Sequence, residues 1–94
     1  MSKEYYRKLI ADHRAKIVKL RAELTKKKQD KSKKMKDLAN QIKSTKIASN
    51  KERYRKQKIT EAARYENEFD SIKKRIESEK RTIEGYKKSL ANAK

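Results

Sequence analysis

Between Ala62 and Ala93 apolar side chains fall at Ala62, Tyr65, Phe69, Ile72, Ile76, Ile83, Tyr86, Leu90 and Ala93, with Glu79 completing the series. The steps alternate three and four. A strand alternates every second residue, so this spacing predicts an amphipathic helix carrying a heptad stripe. Two positions in seven cover only a thin seam. Such a seam fits one or two partner helices and not a broad core.

The first half carries a stripe of the same kind at Tyr6, Ile10, His13, Ile17, Leu20 and Leu24. It then falters, because the next seam positions hold Lys27, Lys31 and Lys34. It resumes at Leu38, with Met35 and Ile42 just off the line. Ser2 is placed to cap this helix, and Glu4 suits its first turn. The stretch Ser44-Thr45-Lys46-Ile47-Ala48-Ser49-Asn50 gathers short polar residues that compete with helical hydrogen bonds and favour turns. Ser49-Asn50-Lys51-Glu52 has the form of a capping box, with Ser49 as the cap. These signals predict helix one over about 2–44, a turn over about 44–49 and helix two over about 50–93, in a single domain of residues 1–94.

The polar entries choose how the halves face each other. If facing residue numbers sum to about 100, Glu79 meets Leu20 and Lys27 meets Ile72, and each places a charge against a core residue. If they sum to about 93, Ile10 meets Ile83, Ile17 meets Ile76, Leu20 meets Ile72 and Leu24 meets Phe69. His13 then lies opposite Glu79 and Tyr6 opposite Tyr86, while Lys27 comes beside Tyr65, where its stem can lie on the ring. The second register also centres the turn near Lys46. A single continuous helix dimerising in parallel is the rival, but the two stripes are one residue out of phase across the midpoint. The expected fold is therefore all-α: an antiparallel two-helix coiled-coil hairpin that associates into a helical bundle. Leu9, Val18, Met35, Ile42 and Ile59 lie off the seam and motivate that association, since a lone hairpin buries little against its chain entropy.

Composition sharpens this picture. Charged residues make up 46% and hydrophobic ones 33%; proline is absent and Gly85 is the single glycine. Little interrupts long helices. Disorder competes for so polar a chain, but the sustained three-four spacing argues for a folded state. Gly85 reads as a tolerated cost or a point of close contact. With no cysteine, disulfides, thiolate metal sites and cysteine nucleophiles drop out. No apolar run approaches a membrane span, and Met-Ser-Lys-Glu-Tyr-Tyr lacks the apolar core of a signal peptide. A cytoplasmic location is the default expectation, unless the hairpin is exported folded.

Candidate chemistry is sparse. His13 is the sole histidine and reads as part of a polar layer fixing register, not as a catalytic or metal-binding group. Glu66, Glu68 and Asp70 sit two apart, so they point in different directions and are expected to pair with Arg64, Lys73 and Lys74. No catalytic, cofactor-binding or metal site is expected, and no small-molecule substrate. The net charge of +17 raises the expectation of an anionic partner. From Lys26 to Lys58 there are 14 Lys or Arg against Asp30, Asp37 and Glu52, a net of +11. In a hairpin this segment is the turn end, with Lys51, Arg53, Tyr54, Arg55, Lys56 and Lys58 as a candidate anion-binding tip. Cations interleaved with an aromatic ring can grip phosphates and stack on bases.

Ser44-Thr45-Lys46, followed by Ala48-Ser49 and Lys51 and then by Ala62-Ala63-Arg64-Tyr65-Glu66 with Glu68, resembles coiled-coil segments of bacterial multidomain proteins. Those segments lie N-terminal to effector domains, Toll/interleukin-receptor-like ones among them. The resemblance covers roughly residues 40–90. It implies a docking or oligomerisation segment and carries over no catalytic residue. In length and central turn the chain is also similar to WXG100-type secretion hairpins. It departs from them in lacking tryptophan, in placing its glycine in helix two, and in its strong basic charge. Tyr65 and Tyr86 are followed four residues later by Phe69 and Leu90, where that family's export signal has an acid.

The expected function is a non-enzymatic interaction and oligomerisation module. Its partner is itself or another helical protein, engaged through Ile10, Ile17, Leu20, Leu24, Phe69, Ile72, Ile76, Ile83 and Leu90. Nucleic acid at the basic tip is the alternative.

Overall fold

The computed structural model describes residues 2–93. Two long helices, α1 (Lys3–Ser44) and α2 (Ala48–Asn92), pack antiparallel as a hairpin. Ser2 caps α1 as its position suggests: its Oγ accepts the Tyr5 backbone N–H at 3.3 Å. Glu4 in the first turn pairs with Arg7 at 2.9 Å.

The turn is shorter than the sequence implies and the cap is different. Residues 45–47 connect the helices. Thr45 N–H still donates to Gln41 O at 3.1 Å, and the Ile47 N–H reaches the Thr45 hydroxyl at 3.4 Å. The Ile47 carbonyl then accepts both the Asn50 and Lys51 N–H groups, each at 3.1 Å. Helix α2 is thereby nucleated at Ala48, which puts Ser49 inside the first turn and not at the cap. The hydroxyl that organises the turn is Thr45's.

The packing falls into two compact units. One holds the described residues through Leu24 with those from Ser71 onward; the other is Thr25–Asp70. In the first unit Ile10, Ile17 and Leu20 of α1 are buried with Ile72, Ile76 and Ile83 of α2, and Leu24, Tyr86 and Leu90 pack against them. Every one of these nine lies on the expected seam. Each buried isoleucine or leucine contributes about 1.5–3 kcal/mol. His13 and Glu79 meet as the register requires, His13 Nδ1–H donating to Glu79 Oε2. The Tyr6 and Tyr86 rings lie 6.4 Å apart, and Tyr86 stands 5.5 Å from the His13 ring. These four side chains make one aromatic and polar layer.

The second unit buries less. Leu38, Tyr65 and Phe69 are its buried side chains, and Met35 and Ile42 are half-buried. Two of the three seam lysines are held by acids from the opposite helix: Lys27 Nζ stands 3.3 Å from Glu68 Oε2, and Lys31 Nζ donates to Glu66 Oε1 at 2.6 Å. Lys31 also sits 5.7 Å above the Phe69 ring.

Two expectations therefore change. Lys27 takes a carboxylate, and the cation on Tyr65 is Arg64, 4.4 Å from the ring centre. Glu66 and Glu68 bridge the helices, although Glu68 also keeps its helical partner Arg64 at 2.8 Å. The reason is electrostatic: a half-buried ammonium on a seam gains more from a carboxylate than from a ring face.

Candidate interaction surface

Seven of the nine seam positions expected to bind helices are buried inside the hairpin itself, and Leu24 and Leu90 are half-buried. The seam is spent on closing α1 against α2. What the seam still offers a partner is the outer edges of residues such as Ile17 and Ile83, so most of a contact falls on other side chains. Of the five off-seam apolar side chains, Leu9, Met35 and Ile42 are half-buried by the fold. Val18 is 66% exposed and Ile59 72%. Ile47 in the turn and Tyr5 in the first turn of α1 are also exposed.

Around Val18 the exposure has shape. In the unit built from the chain's two ends, an open groove runs between the helices, lined by Ile17, Val18 and Ile83 with charged residues on both banks. Ile17 and Ile83 are core side chains whose edges form the floor, while Val18 stands up from the α1 bank. Val18 lies off the seam as the heptad spacing predicts, but its setting depends on both helices. The detectable signal was cations seven residues apart on each helix, Arg14 with Arg21 and Lys80 with Lys87.

The tip residues do not assemble as one site. Lys51, Tyr54 and Lys58 recur at steps of three and four and are half-buried, turned toward the side that carries Tyr65 further along. Arg53, Arg55 and Lys56 are exposed, but at about 100° per residue Arg55 is separated from the other two around the helix. The Arg53 guanidinium lies 5.6 Å over the Tyr54 ring and occupies a face that a base would need. Further along, Arg64 is bound by Glu61 and Glu68 at 2.8 Å each. Hydrogen bonding to Glu61 holds its guanidinium above its ordinary pKa, with smaller contributions from Tyr65 and the Glu68 charge.

Among the described residues no three His, Cys, Asp or Glu side chains gather as metal ligands, and no helix is long and apolar enough to cross a membrane. No protein-family model, curated protein or solved structure matches the chain.

Proposed function

We infer that this hairpin is a non-enzymatic protein-interaction module, which completes its packing by taking up another helix from a second copy or from a different helical protein. The observation that carries the reading is Val18, an apolar side chain 66% exposed beside a groove floored by isoleucines. The hairpin's own seam is already filled, and Val18 lies outside that internal packing. Ile59, 72% exposed in the other unit, extends the same argument.

Nucleic-acid binding by the turn end has less support. It rests on the +11 charge of residues 26–58, while the candidate tip side chains point in different directions and Arg53 lies over the Tyr54 ring.

Sedimentation of the full chain, combined with titration by amphipathic helical peptides of acidic, neutral and basic flank, tests the module. Association with itself or with at least one peptide class is expected, and Val18→Asp should weaken it. A chain that stays monomeric to about 100 μM, a concentration scale at which binding free energies are only about 5–6 kcal/mol, and binds none of the peptides would overturn the reading.

A further inference from the structure

The groove beside Val18 has a charge pattern that names its occupant. Arg14 and Arg21 stand on the α1 bank and Lys80 and Lys87 on the α2 bank, with Glu84 the one acid among the lining residues. Each cation pair is spaced seven residues, two helical turns, or about 10.5 Å along its helix. The spacing therefore repeats once per heptad on both sides of an apolar floor.

We propose that this groove docks an acidic amphipathic helix, with apolar residues at its a and d positions and carboxylates at e and g. The proposal rests on the interaction-module reading and deepens it. A helix lying along the groove would set its apolar stripe on Ile17, Val18 and Ile83. Its two flanks repeat every seven residues, so carboxylates on one flank reach Arg14 and Arg21 while those on the other reach Lys80 and Lys87. On the α2 bank the present partners are weakly held. Lys80 and Lys87 hold Glu77 and Glu84 only through exposed contacts of 3.5 and 3.2 Å along their own helix. Such exposed pairs are weak and readily traded for partners in a less solvated interface.

The same pattern disfavours a second copy packed groove to groove. That arrangement would bring Arg14, Arg21, Lys80 and Lys87 against their own counterparts, in a chain already carrying +17. Like charges set face to face in an interface suppress binding.

The test titrates the full chain, at about 0.15 M salt where long-range attraction is screened beyond about 8 Å, with three synthetic four-heptad peptides. All have leucine at a and d; the e and g positions are Glu, Gln or Lys. At neutral pH the Glu peptide repels itself and is free to bind. Fluorescence anisotropy should show the Glu peptide binding at least about tenfold more tightly than the Gln peptide, and the Lys peptide not at all. The double variant Arg14→Glu/Arg21→Glu should abolish the preference for Glu, and Val18→Asp should weaken binding of the Glu peptide. Arg53→Glu/Arg55→Glu makes the same charge change in the other unit and should leave the affinity unchanged. All these side chains are exposed, so the fold survives substitution, and circular dichroism verifies it.

Equal losses in the Arg14/Arg21 and Arg53/Arg55 variants would show bulk charge attraction and overturn the proposal. So would equal binding of the Gln peptide, or self-association through Val18, although either leaves the module reading standing. Monomeric behaviour with no peptide bound removes both.

Discussion

Leu38 is 1% exposed and is the fully buried side chain of the Thr25–Asp70 unit. Replacing it with alanine removes three carbons, a transfer loss of about 2.4 kcal/mol at about 0.8 kcal/mol per methylene. The site adds a cavity term that a thin core can partly relax, so about 3 kcal/mol in total is expected. The whole chain has roughly 5–14 kcal/mol to lose. Because this unit buries only Leu38, Tyr65 and Phe69, the loss should fall on it first. Hydrogen exchange read by peptide should show amides within residues 25–70 losing protection, while those around Ile10, Ile17, Ile76 and Ile83 lose much less. Urea unfolding followed by circular dichroism gives the total. Ile59→Ala is the matched control at 72% exposure and should change stability by no more than about 0.5 kcal/mol. If Leu38→Ala costs under about 1 kcal/mol, or no more than Ile59→Ala, then the basic half is not packed through Leu38.

In a double-mutant cycle on His13→Ala and Glu79→Ala, each single change leaves a half-buried polar partner unpaired, so a coupling of about 0.5–3 kcal/mol is expected; a coupling near zero would deny the pair a part in setting register. A Cβ at Gly85 would meet nothing within 4 Å and the backbone there is ordinary helix, so Gly85→Ala should stabilise by about 0.5–1 kcal/mol in thermal melts; a loss would show that something packs on that surface. Binding to single-stranded nucleic acid should vanish near physiological salt and respond equally to Arg53→Ala/Arg55→Ala and Lys87→Ala/Lys88→Ala. A salt slope flattened by about one to two units in the first variant alone would restore the tip as a site.

Much of the fold was legible because its determinants are periodic. The three-four spacing fixed the seam, and two exceptions in it, His13 and Glu79, chose the register by finding each other. The start of α2 was less legible because Ser49 and Glu52 match a capping pattern that the Thr45 hydroxyl and the Ile47 carbonyl pre-empt two residues earlier. The lysine positions 27 and 31 looked like gaps in the stripe. They are filled by carboxylates from α2, a pairing that needs the offset across the seam as well as the facing rule. The interaction surface was least legible. Val18 is one valine off a stripe, and only the folded hairpin puts Ile83 and the Lys80–Lys87 pair beside it.

The hairpin register underlies both the filled seam and the free groove, and one distance tests it most directly. Lys8 and Lys88 are exposed on opposite helices of the same unit. Spin labels at both sites, in protein diluted with unlabelled chain, report the intramolecular separation by pulsed electron resonance. Helices packed about 8–10 Å apart, with the reach of two labels added, put the distance below about 30 Å, and saturation with the acidic peptide should leave it there. A separation above about 100 Å, as a continuous helix would give at 1.5 Å per residue, would contradict the hairpin and everything built on it.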